Sequence, residues 1–184
     1  AALSALPAFG VIVRPEDIPC FGIRHISKKD MEDAKINGMK IKLLGRGKKE
    51  GNRVSLSVMP CFVSDCDMFA TVDQNYNAVS CVSATLGKAV FTGQGAGSLP
   101  TAHAVVQDLL DIQNSCAVMT HSFHKTETDD QKTGVYYIRT VCSMDEIPHK
   151  NIDEDTVLTE YVSLHEVMKA LEKDENALVI EVLK

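Results

Sequence analysis

Three glycines fall at alternate positions in the segment FTGQGAGSLPTAH, as Gly93, Gly95 and Gly97. The segment follows an apolar run and precedes a long helical pattern. Glycines at such a junction can leave the backbone bare, so that a ligand lies against it near the positive end of the helix. The other interpretation is structural, a tight loop that needs positive φ and close helix–strand packing. The residues alone leave both interpretations open.

Two common nucleotide-binding patterns do not fit this segment. A dinucleotide fingerprint G-x-G-x-x-G that begins at Gly93 needs a glycine at position 98, which is Ser98. The flanking segments also lack the βαβ pattern that accompanies the fingerprint. A P-loop is excluded because no Gly-Lys-Ser/Thr sequence follows. The loop is therefore not predicted to be a phosphate cradle of either kind.

Other residue types that do chemistry form no convincing set. His121 and His124 have H-x-x-H spacing, but they lie in a polar stretch without a third ligand, so we interpret them as surface histidines and predict no metal site. His103 lies one turn inside the helical pattern, where it can approach a cofactor or face solvent. Asp108 and Asp111 are interpreted as the polar face of the same helix. No Ser-His-Asp or Cys-His spacing supports nucleophilic catalysis, and no catalytic residue is assigned.

Composition and charge narrow the class of protein. The 184 residues are 45% hydrophobic and 24% charged, which is typical of a soluble globular protein of one or two domains. The net charge of −6 argues against nucleic acid as a partner. No apolar run approaches the roughly 20 residues of a membrane span. The cysteines form no C-x-x-C pair and are expected to be reduced, as in a cytoplasmic protein; they lie at positions 20, 61, 66, 81, 116 and 142.

Elements that position the glycines follow from the hydrophobic periodicity. A helix is predicted at 98–115, with Ser98 as its N-cap and a broad buried apolar face. A second helix is predicted at 28–37, from Ser27 as N-cap to Gly38. The remaining predictions are a helix at 163–173 and strands at 39–46, 53–62, 77–85, 88–93, 135–142, 156–162 and 177–183. The predicted fold class is α+β, a mixed and largely antiparallel sheet covered by helices, with a small C-terminal β-α-β element.

The segment GQGAGSLPTAHAVVQDLLDI resembles the G-x-G-A-G-x-x-P-T-A-x-A-V-x-x-D-L segment of homoserine dehydrogenases. Other stretches resemble the same family in order and at ordinary spacing, so that the resemblance covers roughly residues 1–115. These stretches are PAFG (7–10), the FGIRHIS region (18–30), GMKIKLLG (38–45), VSLSVMP (54–60) and NAVSCVS (77–83).

The resemblance implies a role for the glycines. Family members join a Rossmann domain to a part that supplies the substrate site and the dimer interface. They interconvert homoserine and aspartate semialdehyde with NAD(P), in threonine, methionine and isoleucine biosynthesis. The family pattern implies that Gly97 contacts the cofactor and that Gly95 and Gly93 shape the loop. The chain resembles the second part, so we expect a fragment, inactive alone, that forms dimers or larger homo-oligomers. Its NAD(P) would be held mainly by the missing domain, and the proton-transfer lysine would precede Ala1.

Three segments are expected along the chain. Residues 1–120 resemble an incomplete catalytic and dimerisation domain, 121–133 form a linker, and 134–184 resemble a reduced ACT-like element that lacks the usual first helix and second strand. The alternative function is a regulatory module in which this element senses an amino acid and the front half only dimerises. A purely structural oligomerisation domain fits the fragment but leaves the glycines unexplained.

Overall fold

The computed structural model of the chain describes residues 1–114 and 132–183. The chain divides into two compact units. The first contains Ala1–Ser64 and the described residues from 132 onward, and the second runs from Asp65 to the last described residue before the gap. Most of the predicted linker, with His121 and His124, lies outside the described residues, and the predictions for it stay untested.

The described elements are mixed in order along the chain. Four α-helices are described: α1 (Ala2–Phe9), α2 (Lys28–Ile36), α3 (Ser98–Gln113) and α4 (Leu164–Ala170). Short 3-10 helices lie at Pro15–Asp17 and Met68–Thr71. The described strands are β1 (Met39–Glu50), β2 (Arg53–Ser64), β3 (Tyr76–Ser83), β4 (Gly87–Gln94), β5 (Thr133–Arg139), β6 (His149–Asn151), β7 (Thr156–Thr159), β8 (Val162–Ser163) and β9 (Leu178–Val182).

The first unit is built on a sheet of seven described strands with the order β1-β2-β9-β5-β7-β6, in which β8 also pairs with β5. All of these pairs are antiparallel except β2 with β9, which run parallel and place Cys61 opposite Glu181. The α+β prediction, with a mixed and largely antiparallel sheet, is confirmed. Strand β9 lies between β2 and β5, so the C-terminal residues share one sheet with the front of the chain. The boundaries at 120 and 134 stay a prediction about sequence segments.

Helix α2 begins and ends as its sequence predicts. Ser27 and Asp30 form a reciprocal capping box at its first turn, and Gly38 follows its last turn with φ of +65°. The next residues enter β1, which forms the predicted hairpin with β2. The hairpin is longer than predicted and closes at the pair Glu50–Arg53, because charged residues near the turn hide the alternation of the strand ends.

Two clusters of buried apolar residues hold helices against this sheet. Ala5 of α1 packs with Val54 and Leu56 of β2, and Ala34 of α2 packs with Phe62 of β2 and Tyr137 of β5. Because strand side chains alternate between faces, residues 57 and 61 of β2 lie on the opposite face. Buried residues therefore lie on both faces of β2.

The C-terminal elements are shorter than predicted. Strand β5 ends at Arg139, and the strand predicted at 156–162 is two short strands, β7 and β8. Helix α4 starts at a capping box formed by Ser163 and Glu166 and ends at Ala170. The three-residue strand β6 was not predicted from the sequence.

The second unit contains the antiparallel hairpin β3–β4 and helix α3. Two predictions about α3 are wrong. Gly97 is the N-cap, and Ser98 is the first helical residue, because the backbone of Gly97 turns into the helix without a side-chain cap. The apolar face of α3 is also not buried, since every described residue of α3 keeps substantial exposure. Periodicity identifies an apolar face, but it does not identify what covers that face.

Candidate functional site

The three predicted glycines lie on one strand–loop–helix connection in the second unit. Gly93 is inside β4 and pairs with Asn77 of β3. Gly95 follows the end of β4, and Gly97 caps α3. We call residues 93–97 the glycine connection. The fold thus brings the predicted site residues together at the start of a 16-residue helix.

Gly95 has a structural reason to lack a side chain. A Cβ atom at this position would overlap the side-chain amide of Asn77. The Gly95 N–H donates to the main-chain oxygen of Asn75 at 2.8 Å, and the Asn75 side-chain amide donates to the Ala96 oxygen at 2.9 Å. The middle of the glycine connection is therefore fixed against the residues that lead into β3.

Gly97 is required by its backbone. Its φ of +121° is rarely adopted by residues with a side chain, and a Cβ would lie 3.4 Å from Cδ of Pro100. For Gly95 and Gly97 the structural interpretation therefore holds whether or not a ligand binds.

Gly93 differs from the other two. Its φ is outside the positive range, and a Cβ atom there would meet no heavy atom within 4 Å. The described residues therefore do not force a glycine at position 93. The open space above its α-carbon is available to a molecule that approaches the connection closely.

The first turn of α3 is open to a ligand with negative or acceptor character. The helix has no side-chain cap and no acidic residue in its first turn. Thr101 donates its N–H to the Gly97 oxygen at 3.1 Å, so the N–H groups of Ser98 and Leu99 come before the first intrahelical donor and have no acceptor within the helix. These groups and the helix dipole favour an acceptor beside Gly97.

A second group of polar residues, buried in the first unit, was missed by the sequence reasoning. The carboxylate of Glu181 is 4% exposed and accepts from Arg46 and from Lys132, the latter at 2.7 Å. Lys132 also donates to the Ser57 hydroxyl at 2.8 Å, and the Cys61 thiol lies 3.8 Å from the carboxylate. We call these five residues the Glu181 cluster. One acidic residue inside the apolar strand sequence ALVIEVL was the signal that could have found it.

The electrostatics of the Glu181 cluster indicate a structural role. Burial lowers the pKa of Lys132, although Glu181 opposes the shift. Burial also raises the pKa of Cys61 to about 12, with Glu181 acting in the same direction, so the thiol is protonated and unreactive at neutral pH. Tyr136 lies beside Glu181 in the sheet register, and its buried hydroxyl has no hydrogen-bond partner among the described residues. The cluster ties β1 and β2 to β9 through charge.

Comparison with known proteins places the glycine connection in a family. Residues 1–110, more than half of the chain, match the family model described as homoserine dehydrogenase. The chain belongs to the homoserine dehydrogenase family. The recognition made from the ordered sequence stretches is confirmed. The glycine connection lies inside the matched residues, whereas Lys132 and Glu181 lie beyond them.

The match between this chain and an individual homoserine dehydrogenase covers only part of that protein's length. The chain is 39% identical to the homoserine dehydrogenase of Helicobacter pylori over 105 residues, which are 57% of this chain and 25% of that protein. It is 34% identical to that of Neisseria gonorrhoeae over 145 residues, which are 79% of this chain and 33% of that protein. The chain thus spans about a quarter to a third of these relatives.

Solved structures of homoserine dehydrogenases share the fold. The enzyme from Thiobacillus denitrificans superposes with a TM-score of 0.77 and 24% identity, over 100% of this chain and 51% of that chain. A structure of the S. aureus enzyme at pH 8.5 gives a TM-score of 0.66 and 26% identity, over 98% of this chain and 50% of that chain. The fold described here therefore corresponds to about half the length of each of these two chains.

The remaining candidate residues have simple surroundings. His103 and Asp108 are exposed on α3, and Asp111 accepts from Gln107 at 2.9 Å on the same helix. Asp67 caps the short helix at Met68–Thr71 by accepting the Phe69 N–H. No cluster of three or more metal-ligating side chains occurs among residues 1–114 and 132–183. Within the same residues, no helix combines the length and apolar character needed to span a membrane.

Proposed function

We propose that this chain forms the substrate and dimerisation part of an NAD(P)-dependent homoserine dehydrogenase, in which the glycine connection meets the cofactor. When bound, NAD(P)+ would accept a hydride from the alcohol carbon of homoserine while the hydroxyl proton is released, which gives aspartate semialdehyde and NAD(P)H. The observation that carries the proposal is the open backbone at Gly93 beside the uncapped start of α3, inside the family match. The pathway is that of threonine, methionine and isoleucine, and the location is cytoplasmic.

The residues of the connection have distinct roles in this proposal. Gly97 presents bare backbone at the helix start, where a side chain would hinder approach and would strain its φ of +121°. Gly93 keeps the space above β4 clear. The Gly95 N–H is already used by Asn75, so Gly95 shapes the connection and does not donate to the cofactor.

The chain alone is proposed to be inactive. The residues that match cover about a quarter to a third of these curated relatives, and the family resemblance assigns the main NAD(P) site and the proton-transfer lysine to residues that this sequence does not contain. The glycine connection then supplies one side of a cofactor site whose other side belongs to the nucleotide-binding domain.

Assays of two proteins test this assignment. One is the chain alone, and the other is the chain joined before Ala1 to the part of the Helicobacter pylori homoserine dehydrogenase that it does not match. Homoserine-dependent formation of NAD(P)H is expected only in the joined protein. Formation of NAD(P)H by the chain alone would refute the proposal that activity needs the nucleotide-binding domain.

We also propose that the second unit joins two copies of the chain. The apolar stripe of α3 is exposed, with Val105 at 55%, Val106 at 53% and Leu109 at 60%. Val79 and Phe91 of the β3–β4 hairpin are exposed as well, at 58% and 65%. Apolar surface of this extent on a folded unit favours burial in an interface, and the family resemblance identifies the occupant as a second copy.

The C-terminal segment fits a structural role better than a separable sensing module. Strand β9 lies between β2 and β5, and the Glu181 cluster and the pair of Asp30 with Arg139 cross the same junction. Residues 134–184 are therefore proposed to complete the sheet of the catalytic region, with 1–120 as the family domain and 121–133 as the linker.

A further inference from the structure

We propose that Asn75 is a positioning residue of the cofactor site, which holds the glycine connection in the conformation from which Gly97 meets NAD(P). The inference rests on the proposed function for the role of Gly97. It goes further by assigning the shape of the connection to a residue outside the glycine motif, immediately before strand β3.

Asn75 holds the connection at two successive residues. Its main-chain oxygen accepts from Gly95 N–H at 2.8 Å, and its side-chain Nδ2 donates to the Ala96 oxygen at 2.9 Å. The two bonds hold the backbone on either side of the peptide that joins Gly95 to Ala96, immediately before Gly97. Because Gly95 and Gly97 flank a single alanine, a chain with so much conformational freedom needs external contacts to adopt one conformation.

Asn77 restricts the connection from the same side. Positions 75 and 77 are two apart at the start of β3, and the Asn77 amide fills the space that a Cβ of Gly95 would occupy. Asn77 is also the register partner of Gly93. The glycines therefore fit against two asparagines, one of which bonds the backbone and one of which packs on it.

The Asn75 amide acts through the loop and does not contact the ligand itself. One N–H of the amide is used by the Ala96 oxygen, and Asn75 is half-buried, whereas residues 93–97 are exposed. A comparable side-chain bond closes the other end of the hairpin, where the Ser83 hydroxyl accepts from Leu86 N–H at 3.1 Å. Ser83 therefore offers a matched control that removes one local bond from the same hairpin, away from the glycine connection.

Hydrogen exchange tests the hold on the loop without any enzymatic activity. Asn75→Asp keeps the shape of the side chain but directs a carboxylate at the Ala96 oxygen in place of a donor. Loss of one such bond corresponds to about a fivefold effect, so exchange of the Gly95 amide is expected to quicken by at least about fivefold. Ser83→Ala should leave Gly95 exchange unchanged. Unchanged Gly95 exchange in Asn75→Asp would overturn the proposal.

Kinetics of the joined protein test the consequence for the cofactor. Asn75→Asp is expected to raise the KM for NAD(P)+ by about fivefold and to leave the KM for homoserine unchanged. Ser83→Ala should change neither constant, which separates positioning from general stability. The proposal is wrong if Gly97→Ala raises the cofactor KM and Asn75→Asp does not. If neither variant changes it, the cofactor role of the connection is refuted, and the Gly95 exchange result decides only whether Asn75 holds the loop.

Discussion

The guanidinium of Arg139 donates to both carboxylate oxygens of Asp30, at 2.7 and 2.8 Å, across 109 residues of sequence. Asp30 is fully buried, caps α2 through Ser27, and also accepts from the Tyr137 hydroxyl at 3.1 Å. One carboxylate therefore fixes a helix start in the family-matched region to strand β5 in the C-terminal segment. Together with the Glu181 cluster, this pair makes the junction between the family-matched region and the C-terminal segment specific.

Arg139→Ala should destabilise the protein by roughly 3–5 kcal/mol, because the buried charge of Asp30 would lose its counter-charge. The measurement is the free energy of unfolding in urea. Lys29→Ala is the matched control, since Lys29 pairs with Asp153 at an exposed position on the same helix. The Lys29→Ala variant should have the same free energy of unfolding as the wild type. An equal loss of unfolding free energy in both variants would show that burial of the Asp30 pair is unimportant.

The pH dependence of stability should reveal the lowered pKa of the Asp30 carboxyl group. Burial alone would raise the pKa of Asp30, but hydrogen bonds from Ser27 and Arg139 together outweigh it and hold the pKa below its ordinary value. This stabilisation is complete above the unfolded pKa of about 4 and is lost as pH falls through the folded value. The difference in urea midpoint between wild type and Asp30→Asn should therefore narrow below about pH 4. A constant difference down to acid pH would contradict this.

Local signals in the sequence predicted most of the first half of the fold. The N-cap Ser27, the terminating Gly38 and the β1–β2 hairpin all depend on residues within a few positions of each other. The partner of Asp30 was not predictable, since Arg139 is distant in sequence and no local pattern connects the two. The Glu181 cluster was missed for the same reason, because only the parallel pairing of β2 with β9 brings Cys61 beside Glu181.

The candidate site was predicted in position but not in detail. The alternate spacing singled out Gly93, Gly95 and Gly97 in the sequence. Only the structure shows that the Asn77 side chain leaves no room for a Cβ at Gly95 and that Gly93 has open space. Ser98 was assigned as the cap because serine often caps helices. The backbone of Gly97 takes that position instead, and side-chain preferences do not reveal this.

Glu181→Gln should destabilise the protein by roughly 3–5 kcal/mol at neutral pH, because the largely buried Lys132 would lose its counter-charge. Burial already lowers the pKa of Lys132, and loss of Glu181 removes a group that opposes the shift. Lys132 should therefore lose its proton in the folded variant at lower pH, and the penalty should shrink as pH rises toward about 10.

Urea unfolding at neutral and alkaline pH measures this trend. Glu175→Gln, which removes the same charge at an exposed position, is the control and should have little effect at either pH. A Glu181→Gln penalty that grows with pH would show that Lys132 does not determine the energetics of the cluster.

Leu109→Glu should weaken self-association, because it places a charge in the exposed apolar stripe of α3. Sedimentation velocity of the chain should show a dimer or larger oligomer for the wild type and a shift toward monomer for the variant. Asp108→Lys, on the polar side of the same helix, should leave the distribution unchanged. A monomeric wild type, or a Leu109→Glu variant that associates normally, would refute an interface through this face.

The most direct test of the cofactor role compares two glycines in the joined protein. Gly97 and Gly87 both have positive φ, at +121° and +71°, but Gly87 lies at the far turn of the β3–β4 hairpin. Gly97→Ala and Gly87→Ala therefore both introduce backbone strain in the second unit, and the strain is greater at Gly97, whose φ of 121° and ψ of 155° lie in a region essentially restricted to glycine. The kcat/KM for NAD(P)+ is predicted to fall at least about tenfold in Gly97→Ala, which corresponds to about 1.4 kcal/mol, and to stay at the wild-type value in Gly87→Ala. Equal values in the two variants would contradict the assignment of the glycine connection to the cofactor site.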